Sequence, residues 1–474
     1  MGSIGIFDRQ LRVSWWDQRK LEKTSLFIIA NDPYSYISLI SAIAVGFGRI
    51  YIIGSRQVRD FKILFKNASG DVFRETIKFV EEHFGRYLDN YSIELNSIHI
   101  NLASESALNL VKNVISEDES ENKVVLDLST DLNIKLFTWR LRSLIKVPTY
   151  IVVLCDGLKL YALSEILHRS TNKIRRVVSD IFVRVQRQAT SRIPIEHLFL
   201  LASGLSLGEI VMQIQGGFTK EDLGAYMKFT PALEVAFPFR GIPPLRAAPQ
   251  RIKSIAVVGA GALGTFYAIQ LATMINLKLL ETREVVFIDP DRIDQTNFNR
   301  QVIYWGDTIG LSKAEVMAER FQGMIHDNVL VRYEEARFEE IKDKLKDMTL
   351  IIEGVDTWAA RKEIAGFATE NRIPLISAGV ELLHGHETFY LPLKTYCPFH
   401  SINLGEKMDP QMNESCLNIQ PSVIFTNIAI ASLAILTSIG AREPLNGVLY
   451  YSLEGLYPEY RRFYVQEYYE SCGH

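Results

Sequence analysis

The chain has 474 residues, of which 47% are hydrophobic and 23% charged, a composition typical of a globular protein of about two or three domains. Its formal net charge of −3 gives no overall attraction to nucleic acid or to an anionic membrane, so we predict neither as a partner. Only four cysteines occur, too few for a disulfide framework at this length, which favours a reducing, cytoplasmic compartment.

Strands and helices alternate in the first half. The N-terminus carries Asp8, Arg9 and Arg12 before any apolar run, which is not the pattern of a signal peptide. The apolar run at residues 25–30 predicts a strand, residues 34–45 predict a helix, and residues 49–54 predict a second strand. The second half repeats this order at residues 254–258, 263–275 and 284–288, and later strands at 123–128 and 148–154 correspond to 348–353 and 374–378.

The repeat predicts an α/β fold with two Rossmann-like domains in tandem, each a parallel sheet covered by helices. Residues 158–235 have a helical pattern, and their basic residues fit a solvated helix face better than a nucleic-acid site. Prolines interrupt the pattern from residue 236 to residue 250. We therefore predict a first domain over residues 1–235, a linker over 236–250 and a second domain over 251–474.

A glycine-rich loop follows the first strand of the second half. Gly259, Gly261 and Gly264 lie between that strand and the next helix, where backbone amides can approach a phosphate at the positive end of the helix. Asp289 ends the next strand, at a position suited to accepting hydrogen bonds from ribose hydroxyls. Nicotinamide-dependent dehydrogenases share both features, so the loop alone does not choose between the two classes.

Cations and carboxylates then follow in a fixed order. The segment 289–301 contains Asp289, Asp291, Asn297, Arg300 and Gln301, and later come Lys313 and Asp356. A site that splits a triphosphate needs such cations, and a dehydrogenase does not. For Asp291, Asp294 and Arg361, ion pairs at the surface are an equally good interpretation.

This pattern of glycine loop, D-x-D, N-x-x-R-Q, G-x-x-K and a later Asp resembles the ThiF/MoeB/HesA superfamily of ubiquitin-like-modifier-activating enzymes. The resemblance implies that Asp289 binds the ribose, that Asn297, Arg300 and Lys313 bind the phosphates, and that Asp356 binds Mg²⁺. The nucleotide-binding residues that it implies are Gly259, Gly261, Gly264, Asp289, Asp291, Asn297, Arg300, Gln301, Lys313 and Asp356. The second domain would then be an active adenylation domain that uses ATP.

The first half lacks these residues. Ala30, Asp32 and Ser35 stand where the second half has its glycines, and a carboxylate there repels phosphate. Gly54 stands where Asp289 stands. We therefore predict a degenerate, inactive adenylation domain that binds no nucleotide.

The N-terminal sequence Asp8-Arg9-Gln10-Leu11-Arg12 resembles the segment that opens the inactive halves of eukaryotic activating heterodimers. In that family the arginine before the glutamine reaches the partner's ATP, which implies a catalytic role for Arg9. An ordinary arginine on a helix surface is the alternative.

Cysteines suggest two further functions. Cys416 precedes a long apolar segment, where some members of the superfamily carry a reactive cysteine, so thioester formation and an inert thiol are both open. Cys397 with His400, and Cys472 with His474, lie near the positions of the superfamily's two C-x-x-C pairs. They predict either a zinc site or a degenerate site whose residues only pack.

The segment 421–441 has no charged residue before Arg442 and is about as long as a membrane span, but its threonines, serines and asparagine favour a buried helix. The sequence as a whole predicts ATP- and Mg²⁺-dependent adenylation of the C-terminal glycine of a ubiquitin-like protein, by a monomer or weak dimer. The alternatives are adenylation of a sulfur-carrier protein or ribosomal peptide without a thioester, an NAD-dependent oxidoreductase, and a scaffold that binds a modifier without activating it. A conjugating enzyme as a further partner is left open.

Overall fold

The computed structural model describes residues 7–102, 104–145, 147–153, 159–163, 196–216, 250–395, 398, 422–440, 448–452 and 459–463. The chain forms two compact units. The N-terminal unit comprises Trp15–Arg240 and Gly455–Tyr457, and the C-terminal unit comprises Met1–Ser14, Gly241–Glu454 and Pro458–His474. In this division residues 1–14, which include helix α1 (Asp8–Leu11), group with the second half, and Gly455–Tyr457 group with the first.

The N-terminal unit is built around a sheet of six strands. The strands of the whole unit, including two outside this sheet, are β1 (Thr24–Ile29), β2 (Arg49–Gly54), β3 (Gln57–Ile63), β4 (Lys66–Asp71), β5 (Glu94–His99), β6 (Asn122–Asp127), β7 (Thr149–Val153) and β8 (Lys159–Leu163). Its helices are α2 (Gln18–Glu22), α3 (Tyr36–Val45), α4 (Val72–Asn90), α5 (Glu105–Glu117), α6 (Leu132–Ile145) and α7 (Phe199–Gln215). Strands β3 and β4 form a separate hairpin.

The main sheet of this unit has the strand order β5-β2-β1-β6-β7-β8. Its strands are parallel except for the last pair, in which β8 runs antiparallel to β7. The helix predicted to start at residue 158 is therefore wrong over residues 159–163. These residues turn back and satisfy the backbone hydrogen bonds along the edge of β7.

The C-terminal unit contains a sheet of eight strands. The strands of the whole unit, including two outside this sheet, are β9 (Gln250–Arg251), β10 (Ser254–Val258), β11 (Leu280–Glu281), β12 (Glu284–Ile288), β13 (Leu330–Glu334), β14 (Leu350–Glu353), β15 (Leu375–Glu381), β16 (His384–Tyr390), β17 (Val448–Ser452) and β18 (Glu459–Phe463). Its remaining helices are α8 (Ala262–Asn276), α9 (Lys313–Met324), α10 (Phe338–Ile341), α11 (Trp358–Glu370) and α12 (Ile424–Ser438). The short strands β9 and β11 pair apart from the main sheet.

The order of the larger sheet is β13-β12-β10-β14-β15-β16-β17-β18, parallel from β13 to β15 and antiparallel beyond. The six strands β13-β12-β10-β14-β15-β16 have the same spatial order, relative to their order along the chain, as β5-β2-β1-β6-β7-β8 of the N-terminal unit. The α/β architecture with parallel sheets that the sequence predicts is therefore confirmed.

A buried ion pair recurs at the same place in both sheets. Asp127 ends β6 and lies 2.8 Å from Lys135 Nζ, and both side chains are at most 1% exposed. Glu353 ends β14, and its Oε1 lies 3.1 Å from Arg361 Nη1, with the same degree of burial. Arg361 is therefore not part of a surface ion pair, the alternative that the sequence left open for it.

The apolar segment before residue 441 forms helix α12, which is buried against α8 and against strands β15 and β16. Another helix, Glu196–Gln215, passes a length and composition test for a membrane span, and 89% of it is buried inside the structure. A buried core helix passes the same test.

Candidate functional site

The glycine loop connects β10 to α8 and packs tightly against its surroundings. Gly259 has φ +96°, and a Cβ added to it would lie 2.9 Å from the carbonyl oxygen of Gly354. A Cβ on Gly264 would lie 2.1 Å from the carbonyl oxygen of Gly259. Because both contacts involve backbone atoms, any side chain at these two positions would displace the loop.

Gly261 differs from the other two glycines. It is the N-cap of α8, a helix of 15 residues, and supplies no side-chain hydrogen bond to the first turn. A Cβ added to Gly261 would meet no atom within 4 Å. The space beside Gly261, at the N-terminus of α8, is therefore open, and backbone amides at such helix N-termini can bind anions.

Asp289 lies beside this loop at the end of β12. Its side chain is 6% exposed, and its two oxygens accept hydrogen bonds from the backbone N–H groups of Ala260 at 2.6 Å and Asp291 at 2.8 Å. Burial raises the pKa of Asp289, although Lys313 and the two N–H groups act in the opposite direction. Each carboxylate oxygen retains a lone pair with which it could accept a ligand hydroxyl.

Lys313 is the first residue of α9. Its ammonium lies 2.8 Å from Asp291 Oδ2, and the Lys313 side chain is 9% exposed, against 65% for that of Asp291. An arriving phosphate could replace Asp291 at this buried cation, because the carboxylate is free to turn into solvent. Asp291 thus forms an ion pair with Lys313 beside the glycine loop, and its nucleotide-binding role stays a prediction.

Tyr304 ties the glycine loop to α9, a role that sequence reasoning missed. Its buried hydroxyl donates to the carbonyl oxygen of Ala260 and lies 3.3 Å from that of Lys313. Only its position soon after Gln301 hints at this contact, because a buried tyrosine usually needs a partner for its hydroxyl.

The segment 294–301 is held by its own side chains. The Asp294 side chain caps the turn Gln295–Asn297, and Asn297 Oδ1 accepts from the Asp294 backbone N–H at 3.0 Å. Arg300 Nη1 donates to the carbonyl oxygen of Thr296 at 2.7 Å and to Asn299 Oδ1 at 2.9 Å. Asp294 is therefore a structural residue, and Arg300, 6% exposed, is fixed within this segment.

The segment that follows β14 packs against the glycine loop. Gly354 contacts Gly259, and the exposed Asp356 follows two residues later. Just before it, the buried Glu353 holds Arg361. Burial raises the pKa of Glu353, against the lowering effects of Arg361 and Ser377.

The structure thus joins five predicted positions by direct contacts: Gly259 to Gly264, and Asp289 through Asp291 to Lys313. Arg9 lies half-buried in α1, in the same unit as the glycine loop. The predicted thiol Cys416 and the predicted zinc ligands Cys397, His400, Cys472 and His474 lie outside the described residues. Among the residues that the structure does describe, no group of three or more His, Cys, Asp or Glu side chains is arranged to hold a metal ion.

The equivalent edge of the N-terminal unit has different chemistry. Asp32 is 4% exposed, accepts from the Tyr34 backbone N–H at 2.9 Å and lies 3.6 Å from Arg56. Burial raises the pKa of Asp32 to about 6. Gly54 packs against Ala30, since an added Cβ would lie 2.3 Å from the Ala30 carbonyl oxygen. A carboxylate and close backbone packing thus occupy the place of the phosphate loop.

Residues 247–473 match the model of the ThiF family. The NEDD8-activating enzyme E1 catalytic subunit of Arabidopsis thaliana is 32% identical over 160 residues, covering 30% of this chain and 33% of the relative. The probable molybdopterin-synthase adenylyltransferase of Porphyra purpurea is 28% identical over 209 residues, 42% of this chain and 52% of the relative. The SAMP-activating enzyme E1 of Haloferax volcanii is 28% identical over 140 residues, 29% of this chain and 49% of the relative. The chain thus spans between about a third and a half of the length of these relatives.

Proposed function

We propose, from the match of residues 247–473 to the ThiF family model, that this chain uses ATP to adenylate the C-terminal carboxylate of a small ubiquitin-like or sulfur-carrier protein. The relatives support this proposal, since they are named as activating enzymes and as an adenylyltransferase. One observation carries it furthest: the buried cation Lys313 is linked through Asp291 and Asp289 to a glycine loop whose helix is uncapped.

In this proposal ATP binds along the carboxyl edge of the larger sheet. Asp289 accepts from the ribose hydroxyls, and the amides at the start of α8 lie against the phosphates. Lys313, Arg300 and Asn297 stabilise the charge on the phosphates, with Gln301 beside them. Asp356 and Asp291 are exposed carboxylates, so the oxygen ligands that Mg²⁺ prefers are present.

The proposed reaction is a substitution at phosphorus. A carboxylate oxygen of the modifier's terminal glycine attacks the α-phosphorus, the bond to the bridging oxygen of the β-phosphate breaks, and pyrophosphate leaves with that electron pair. The product is an acyl adenylate. Lys313 and Arg300 stabilise the negative charge on the phosphates as this transition state forms, and bound Mg²⁺ would neutralise the departing pyrophosphate.

We further propose that the two units are tandem ThiF-type domains of which only the C-terminal one binds ATP. Their shared strand order supports this, as does the recurring buried ion pair after β6 and β14. Arg9 is proposed to complete the active site, and it groups with the unit that holds the glycine loop. Thioester formation on Cys416, zinc bound by the Cys397 and Cys472 pairs, handoff to a conjugating enzyme and a cytoplasmic location remain predictions from sequence.

Exchange of labelled pyrophosphate into ATP tests this function. The purified chain is mixed with ATP, Mg²⁺ and a small ubiquitin-like protein that co-purifies with it or is encoded beside it. We expect exchange that depends on this protein, and Lys313→Ala should lower the rate by about 100-fold or more, because a buried phosphate-binding cation is lost.

Lys278→Ala is the matched control, because Lys278 is 63% exposed and pairs with Asp327 at the surface. This variant should keep the full exchange rate. Binding of NAD in place of ATP, or equal exchange by Lys313→Ala and the unmodified chain, would contradict the proposal.

A further inference from the structure

Asn299 is a buried amide that contacts the predicted phosphate-binding arginine. Its side chain is 1% exposed, and its Oδ1 accepts from Arg300 Nη1 at 2.9 Å. The same Nη1 donates to the carbonyl oxygen of Thr296 at 2.7 Å. Both acceptors are neutral, so these two hydrogen bonds hold the guanidinium without adding a negative charge beside it.

The amide nitrogen of Asn299, in contrast, lowers the stability of the fold. Asn299 Nδ2 is buried and has no hydrogen-bond partner among the residues that the structure describes. A buried donor without a partner destabilises a protein, whereas an apolar side chain of similar shape at the same position would not. The unpartnered Nδ2 thus offsets what the Oδ1 hydrogen bond to Arg300 contributes, so the segment gains little stability from an asparagine here.

We propose that Asn299 is a positioning residue that orients Arg300 toward the phosphates of bound ATP. An aspartate in its place would also accept from Arg300, but it would cancel the charge that attracts the triphosphate. A neutral acceptor at position 299 adds no such opposing charge. This inference rests on the proposed function, since it assigns a role to Arg300 in ATP binding.

Binding calorimetry with two probes, Mg·ATP and adenosine, tests the role of Asn299. Adenosine lacks all the phosphates. In Asn299→Leu we expect the affinity for Mg·ATP to fall about tenfold, because the guanidinium is no longer held. The affinity for adenosine should stay the same, and the melting temperature should stay the same or rise. A merely structural role would weaken binding of both probes and lower the melting temperature.

A double-mutant cycle with Arg300→Ala supplies the decisive comparison. If Asn299 acts through Arg300, adding Asn299→Leu to Arg300→Ala should change the affinity for Mg·ATP by less than about twofold. Asn299→Ala serves as the second variant if leucine does not fit, with the same expected loss.

Unchanged affinity for Mg·ATP in both folded single variants would overturn the role of Asn299 alone. An equal loss with and without Arg300 would overturn it as well. If the unmodified chain binds adenosine and ATP equally, or neither, the proposed function itself is wrong.

Discussion

Buried ionisable side chains in the C-terminal unit fall into two kinds. Glu353 faces a cation, Arg361, and keeps its partner inside the core. Glu387 is 1% exposed and contacts a hydroxyl instead, with its Oε2 lacking a hydrogen-bond partner among the described residues. Because burial favours the neutral form of an acid without a cation, these two carboxyl groups should respond differently to pH.

The geometry around Glu387 agrees with a protonated carboxyl group. Thr437 Oγ1 lies 2.7 Å from Glu387 Oε1 and 2.9 Å from the carbonyl oxygen of Leu433. The hydroxyl has one hydrogen, so if it donates to the carbonyl, Glu387 must supply the other. Burial raises the pKa of Glu387 to about 8, although the Thr437 hydrogen bond acts against it.

The contribution of Glu387 to the stability of the chain should therefore fall as the pH rises. Between about pH 4.5, the ordinary pKa, and about 8, the folded state keeps a proton on Glu387 that the unfolded state has lost. Its contribution to the free energy of unfolding then decreases with pH across this window. We expect Glu387→Gln to flatten that decrease, and thermal unfolding at several pH values between these limits would measure it.

Glu339→Gln is the control for this experiment, because Glu339 is exposed in α10. It should keep the pH dependence of the unmodified chain. A slope that is the same in Glu387→Gln and Glu339→Gln would show that Glu387 does not carry the effect.

At the scale of elements, the sequence predicts what local patterns determine. Runs of apolar residues predict the central strands β1, β2, β10 and β12, and the glycines identify the loop before α8. The hairpin of β3 and β4 was not predicted, since half-exposed strands have weak apolar patterns. The Tyr304 hydroxyl contacts Ala260 in a distant segment, so the apolar pattern could not have identified its partner.

The three loop glycines should respond differently to alanine. In Gly264→Ala the new Cβ would lie 2.1 Å from the Gly259 carbonyl oxygen, so we expect a loss of about 2–4 kcal/mol in the free energy of unfolding. In Gly261→Ala the new Cβ meets no atom within 4 Å, so stability should change by less than about 1 kcal/mol. That methyl group would nevertheless occupy the space where phosphate is proposed to bind.

Urea unfolding and calorimetry with Mg·ATP separate the two effects. Gly261→Ala should fold normally and bind Mg·ATP at least about tenfold more weakly. Normal Mg·ATP binding by Gly261→Ala would mean that the phosphates lie elsewhere than at the start of α8.

For the whole molecule, a shared strand order in two units with different loop chemistry explains the length of the chain. The sequence predicted this repeat because equivalent strands recur in the same order. It did not predict that residues 1–14 group with the second half, because membership of a unit depends on contacts between residues far apart in sequence. That grouping matters for Arg9, which is distant from the glycine loop along the chain but belongs to the same unit.

If Arg9 completes the ATP site, a single change near the N-terminus should slow chemistry carried out by the second half. We expect Arg9→Ala to lower the rate of ATP–pyrophosphate exchange by about tenfold or more, because one cation fewer stabilises the charge on the phosphates in the transition state. Arg19→Ala is the control, since Arg19 is exposed in α2 of the N-terminal unit. Equal rates for both variants, with Lys313→Ala still inactive, would leave the site in place and remove Arg9 from it, so that residues 241–474 would have to supply all the cations by themselves.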